Sequence, residues 1–169
     1  MTMTIERIEL KTFGRGGVHP STHKRDTALL PVEAMSPLPP EVWLPLVQHL
    51  GEPATPLVKK GDRVVRGQKI ADGGATGAPL HATISGKVKP IDKRPHPTLV
   101  SVDSIIIARD GEEEQEFPED PGWRTLPREE MLERIREAGI VGLGGAAFPT
   151  FRKLTLPPGA RVDTFILNG

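Results

Sequence analysis

Gly142-Leu143-Gly144-Gly145-Ala146-Ala147-Phe148-Pro149-Thr150 is the stretch best suited to hold a ligand. Glycines let a backbone approach a phosphate or a flat ring closely, and their N–H groups can converge on an anion. Lys153 follows shortly after, where its ammonium can meet a phosphate held by such a loop. The pattern departs from the dinucleotide fingerprint, in which the glycines follow a strand, because here they follow a helical segment. A tight helix-to-strand connection is the competing reading, and residue types alone leave both open. Asn168-Gly169 is a second candidate, since ligands of α/β sheets bind beyond the carboxyl ends of strands. His19 and His23 have ligand spacing but lie in a Gly/Pro-rich stretch with no third ligand nearby, which reads as a solvated loop. No spacing assigns a role to His49, His81 or His96, and no Ser–His–Asp arrangement stands out.

The loop needs elements to hold it. Residues 127–138 read as a helix, with Pro127 in its first turn and Met131, Leu132, Ile135 and Ala138 on one face. Glu130 and Arg134 form a favourable i,i+4 pair, and Gly139 is placed to end the helix. Glu129, Glu130, Glu133 and Glu137 read as its solvated face. A strand is expected over 162–167. Upstream, Leu57 to Ile70 reads strand, turn, strand, turn, strand, with Gly61-Asp62 and Gly67-Gln68 as the turns. Ala82 to Ile91 repeats that rhythm as a weak internal echo. Leu99 to Ile107 alternates and then runs apolar, which suits a strand half-buried at one end and covered at the other. Val42 to Leu46 contains Pro45 and is an edge strand at best. The first forty residues, with Phe13 to Pro20 and then Pro37, Pro39 and Pro40, read as an extended arm.

Composition narrows the chemistry. The chain has 169 residues and no cysteine, so it holds no disulfide, thiolate zinc site, cysteine nucleophile or cysteine-ligated iron–sulfur cluster. Basic and acidic side chains balance at 22 each, a poor basis for nucleic-acid binding. No run approaches the ~20 apolar residues of a membrane span, and the N-terminus lacks the apolar core of a signal peptide. The chain is therefore expected to be soluble, on the cytoplasmic side, and to reach a membrane only through partners. With 18 glycines and 18 prolines, many turns and short strands are favoured over a helical bundle. Aromatics are 4% with no tyrosine, so the core must be aliphatic. Residues 1–109 carry 15 basic and 10 acidic side chains, and residues 110–137 carry 4 and 11. The acidic run from Asp110 reads as a solvated linker.

The turns at Gly61 and Gly67, followed by Ser85-Gly86-Lys87-Val88, resemble the barrel-sandwich fold of biotinyl and lipoyl carrier domains. Such carriers need a lysine on an exposed hairpin tip. The corresponding stretch, residues 72–79, has none, so no biotin or lipoyl group is expected. Taken in order, Gly16 to Pro20, Leu44 to Gly51, Val58 to Gln68, Ala82 to Val88, Ala138 to Thr150 and Ile166 to Gly169 resemble the RnfC family. RnfC is the NADH-facing subunit of the ion-translocating Rnf electron-transport complex.

The resemblance implies a mainly β chain with an α/β start. An arm over 1–40 leads to a barrel-sandwich domain over 41–109 and an acidic linker over 110–126. Residues 127–169 then form the truncated start of an FMN- and NADH-binding domain like that of the complex I flavoprotein. By position, Gly142, Gly144, Gly145 and Ala146 would line FMN with backbone. Phe148 would face the adenine of NADH, Lys153 would reach the FMN phosphate and Asn168 would bond the flavin side. The complex I loop has Arg where this chain has Leu143, and Gly where it has Ala147 and Phe151. Family members continue into Cys-rich segments for iron–sulfur clusters. The chain is accordingly expected to be an N-terminal fragment, inactive alone, with half of its flavin site missing. Residues 41–109 are expected to fold stably, and 127–169 to be less ordered or to pair with another chain. Its partners would be the other subunits of a membrane electron-transport complex. The alternative is a non-catalytic docking module.

Overall fold

The computed structural model describes residues 21–112 and 122–165. Two units are present, one up to Ser36 and one from Pro37 onward. The described part of the first, residues 21–36, contains turns and neither helix nor strand. Leu29, Leu30, Val32 and Met35 are all exposed there.

The second unit is built on two antiparallel sheets. Its strands are β1 (Glu41–Pro45), β2 (Thr55–Pro56), β3 (Arg63–Val64), β4 (Lys69–Asp72), β5 (Leu80–His81), β6 (Gly86–Val88), β7 (Asp92–Pro95) and β8 (Ser101–Arg109). One sheet runs β1-β8-β6-β3 with β7 also on β8, and the other runs β2-β4-β5. Pro45 sits in β1, which among the described residues pairs with β8 alone and is therefore an edge, where a missing N–H costs no ladder bond.

The echo in the sequence is a pairing in space. β3 and β6 lie antiparallel, with Arg63 opposite Lys87 and Val64 opposite Gly86. Gly61 donates its N–H to the Val88 carbonyl at 2.8 Å, and Val88 donates to the Asp62 carbonyl at 2.9 Å. Gly67 and Ala82 make the same kind of reciprocal link, through the Ala82 and Gln68 carbonyls. Gly61 and Gly67 turn with φ of +94° and +92°, a region closed to most side chains. That is why two-residue strands suffice: each turn is bonded to the opposite segment.

The interior is aliphatic, as composition required. Val64, Ile70, Ile84, Ile105 and Ile107 are buried together, each worth about 1.5–3 kcal/mol of burial. Ser104 to Ile107 are buried consecutively in β8, so this end of the strand is covered on both faces. The buried Ser85 accepts the Arg66 N–H at 3.0 Å, which satisfies a polar group inside the core.

Two expectations change. Asp110 and Glu112 are exposed but not free of the sheets: both take Arg63, at 2.8 and 3.2 Å, and so tie the end of β8 to β3. Val162 to Phe165 form no strand, and Ile166 and Leu167 lie outside the described residues. A lone apolar segment has no neighbouring strand among the described residues to pair with. His19 also lies outside the described residues.

Gly86 tests the register. A Cβ there would overlap the Ala108 carbonyl, which belongs to the rigid backbone of β8. Gly86→Ala is expected to lower unfolding free energy by about 1–3 kcal/mol in urea titration. A change within about 0.5 kcal/mol, the range of an ordinary surface substitution, would contradict the β6–β8 pairing.

Candidate functional site

Helix α1 (Arg128–Glu137) leads into the glycine loop. Pro127 is its N-cap rather than part of its first turn. Glu129 and Glu130 begin the helix and Arg134 and Arg136 end it, the charge order that complements the helix dipole. Gly139 donates to the Arg136 carbonyl and Ile140 to the Ile135 carbonyl, a paired C-terminal closure. The apolar face is only partly covered: Leu132 and Ile135 are half-buried, whereas Ala138 is exposed.

The loop between α1 and the short helix α2 (Thr150–Leu154) has a closed neck and an open crown. At the neck, Gly142 donates to the Phe148 carbonyl at 2.9 Å, and Thr150 donates to the Ile140 carbonyl at 3.0 Å. Val141 and Pro149 form an antiparallel bridge between them. At the crown, Leu143, Gly144, Gly145 and Ala146 are exposed. A Cβ added at Gly144 or Gly145 would meet no heavy atom within 4 Å. Ala147 holds φ at +45°, a left-handed conformation that costs a non-glycine residue about 1–2 kcal/mol.

The Lys153 ammonium lies against Gly142, beneath the neck, and has no carboxylate partner among the described residues. Phe148 is half-buried beside it in sequence. Gly142, Gly144, Gly145, Ala146, Phe148 and Lys153 thus belong to one loop-and-helix unit, and Asn168 lies outside the described residues.

This unit is docked on the β-sheets. Lys69 pairs with Glu137 at 2.7 Å and with Asp72 at 3.1 Å. Arg136 donates to the Gly74 carbonyl at 3.0 Å and lies 5.7 Å from the Phe151 ring. A Cβ on Gly139 would come within 2.6 Å of the Pro79 carbonyl, so the helix end rests directly on backbone. Glu137 is therefore a docking residue and not part of a purely solvated face. The hairpin between β4 and β5, where a carrier domain needs its lysine, is the surface on which α1 sits. The Gly74 N–H, and then Lys69, hold the Asp72 carboxyl below the usual range. Glu137 chiefly, with Asp72, raises Lys69 against the opposing effect of burial.

Two histidines to which no spacing gave a role have definite partners. His49 is buried. Its Nε2 accepts the Ala78 N–H at 3.1 Å, so the ring proton sits on Nδ1, 3.3 Å from the Leu50 carbonyl. His96 Nδ1 accepts the N–H groups of Thr98 and Leu99, and its Nε2 donates to the Val47 carbonyl at 3.0 Å. Leu50 in turn donates its N–H to the Ala146 carbonyl at 3.0 Å. A cleft of about 320 Å³ opens here, lined by Gln48, His49, His96 and Thr98 on one side and by Gly145 and Ala147 on the other. No spacing rule marks these histidines, because their partners are backbone groups, some close by in sequence and some 29 and 49 residues away.

Two small sheets closed by reciprocal turn bonds, with a hairpin that has no lysine over residues 72–79, define a barrel-sandwich hybrid domain. Residues 11–112 match the family described as RnfC barrel sandwich hybrid domain. The chain belongs to the RnfC family.

Relatives extend across the glycine loop. The chain is 48% identical over 163 residues to the C component of the proton-translocating ferredoxin:NAD(+) oxidoreductase complex of Clostridium ljungdahlii, a match that covers 95% of this chain and 35% of that protein. It is 40% identical to the C component of the Na(+)-translocating ferredoxin:NAD(+) oxidoreductase complex of Acetobacterium woodii, over 92% of this chain and 35% of that one. It is 41% identical to the C component of the ion-translocating oxidoreductase complex of Rhodobacter capsulatus, over 95% and 32%. The chain spans about a third of the length of these relatives.

The Lys69 cluster yields a pH prediction. A carboxylate held below its ordinary pKa adds stability above the ordinary range, and that stability is lost as pH falls through the lowered pKa. A raised lysine adds stability below its ordinary pKa, lost as pH climbs through the raised one. The Lys69–Asp72 pair is thus strongest between those limits. Lys69→Met is expected to cost about 0.5–1 kcal/mol near neutral pH, because the pair is partly exposed. The cost should shrink toward zero below the carboxylate range, at about pH 3 or lower. Urea titrations of both proteins at the two pH values check this, and a cost independent of pH would refute the assignment.

Proposed function

We propose that the chain is the N-terminal part of an RnfC-type subunit of an ion-translocating ferredoxin:NAD(+) oxidoreductase complex. In this reading residues 1–40 are an arm, 41–109 a platform, 110–126 a connection and 127–169 the start of an FMN- and NADH-binding domain. The observation that carries it is the open crown of the glycine loop above a lysine with no carboxylate partner among the described residues. A bare backbone face beside an unpaired cation fits a planar group bearing a phosphate.

Gly144 and Gly145 offer that face, and Gly142 leaves room for the Lys153 ammonium to approach a phosphate. The Ala146 carbonyl is engaged by Leu50, so Ala146 has its N–H to offer. Phe148 is assigned to the adenine of NADH and Asn168 to the flavin side. When bound, FMN supplies the exchange between a two-electron hydride donor and one-electron acceptors. The chain has no cysteine, so iron–sulfur clusters would belong to polypeptide beyond these residues. Its partners would be the other subunits of a membrane assembly, approached from the cytoplasmic side. Among the described residues no helix is long and apolar enough to cross a membrane.

A second reading, a docking module without chemistry, draws on the exposed Leu29, Leu30, Val32 and Met35 of the arm. The reading frame beyond codon 169 at the source locus separates the two. Continuation into Cys-x-x-Cys-x-x-Cys runs supports the electron-transfer reading, and an immediate stop supports the docking module. In the continued polypeptide, titration of FMN fluorescence is expected to show binding. Gly144→Asp should abolish it, and Lys153→Ala should weaken it by about tenfold or more, the value of one charge-assisted hydrogen bond. Unchanged affinity in both variants would remove the glycine loop from the site.

A further inference from the structure

We propose that His49 is the positioning residue of the glycine loop: a neutral imidazole that fixes the Leu50 peptide, through which the barrel-sandwich domain holds the loop. Leu50 is gripped on both sides. Its carbonyl takes the Nδ1 proton of His49, and its N–H reaches the Ala146 carbonyl. The imidazole is itself anchored, because Nε2 accepts the Ala78 N–H from the hairpin between β4 and β5. The chain of bonds runs Ala78, His49, Leu50, Ala146, from the buried part of the hairpin to the exposed crown.

The slot around the ring is shaped for it. A Cβ on Gly77 would reach 2.9 Å from Nε2, and one on Gly51 would lie 3.6 Å from Nδ1. Glycine at position 77 leaves room for the imidazole, whereas the 3.6 Å approach at Gly51 is ordinary van der Waals contact. Ala78 is buried as well, so the anchor is not a surface contact. His96 fixes the same segment one step earlier, at the Val47 carbonyl, but does not touch Leu50 or the loop in these bonds. Both imidazoles face the cleft that separates the sheets from Gly145 and Ala147. The hairpin that carries the cofactor in biotinyl and lipoyl domains would, in the flavin reading, support the loop that holds one.

The Leu50 amide reports the key bond directly, so native-state hydrogen exchange on the 169-residue chain is the first readout. His49→Ala is expected to speed Leu50 exchange about tenfold or more relative to the amides of Ile105 to Ile107. Ser85→Ala, which removes a buried acceptor away from the loop, should leave that ratio unchanged. His49→Gln, whose amide oxygen can reach the Nε2 position and accept from Ala78, should restore part of it. If His49→Ala does not fold, His49→Gln against wild type is read by the same ratio. No rise in the ratio, or an equal rise with Ser85→Ala, overturns the proposal.

The second readout rests on the flavin reading. In the continued polypeptide His49→Ala should weaken FMN about tenfold while Ser85→Ala leaves it unchanged. Absence of FMN binding in the wild type defeats the flavin reading alone, because Leu50 exchange still decides the role of His49.

Discussion

Strand β8 is the constraint on which the unit from Pro37 onward is built. It is nine residues long, and it pairs with β1 along one side and with β6 and then β7 along the other. Every other described strand is five residues or shorter and could not persist in water by itself. A core without tyrosine and with few aromatics needs one segment buried on both faces to reach useful volume. Ser104-Ile105-Ile106-Ile107 is that segment. Its partners can then be brief, because each is held by turn bonds as well as by ladder bonds. The closeness of Gly86 to Ala108 follows from the same geometry: the strands pack backbone on backbone where side chains are too few to space them.

The β4–β5 hairpin supports a helix at the place where a carrier domain presents its lysine. In a carrier domain the hairpin must project freely, since its lysine travels with its cargo. Here the exposed tip is Gly74-Ala75-Thr76, and Arg136 bonds the Gly74 carbonyl while Lys69 reaches across to Glu137. Both contacts are partly exposed and individually weak. Together with the backbone contact of Gly139 on Pro79 they give the helix one orientation rather than a large stability. Fold and function separate at this hairpin.

Sequence patterns revealed what is local and missed what is reciprocal. The turns at Gly61 and Gly67, the edge position of the Pro45 segment, the burial gradient of β8 and the end of α1 at Gly139 follow from residue types within a few positions of each other. The pairing of β3 with β6 was visible only as an echo, because hydrogen-bond partners more than twenty residues apart leave little trace in one sequence. His49 and His96 looked idle for the same reason: backbone groups are present at every position and so mark none. Glu137 looked solvated because it lies among other helical glutamates, and only the docking of α1 distinguishes it from them. The strand expected at Val162 to Phe165 was an inference from apolar content, and apolar content alone does not make a strand where no neighbour offers a ladder.

Under the proposed flavin reading, the loop must combine two opposing requirements. A backbone that is to lie against a flat, charged group must leave its N–H groups unpaired, and unpaired backbone does not hold a shape. Here the two demands fall on different residues. The neck spends its bonds internally, through Gly142 to Phe148 and Thr150 to Ile140, and the crown at Gly144 and Gly145 is left bare. Between them Ala147 sits at positive φ, a cost that persists only when its surroundings fix the chain on both sides. The neck provides one of those sides. The other is the Leu50 bond to Ala146, and it comes from the barrel-sandwich domain, so the strain stored at Ala147 depends on a contact outside the loop. Neither the glycines nor the lysine would be positioned by their own segment alone.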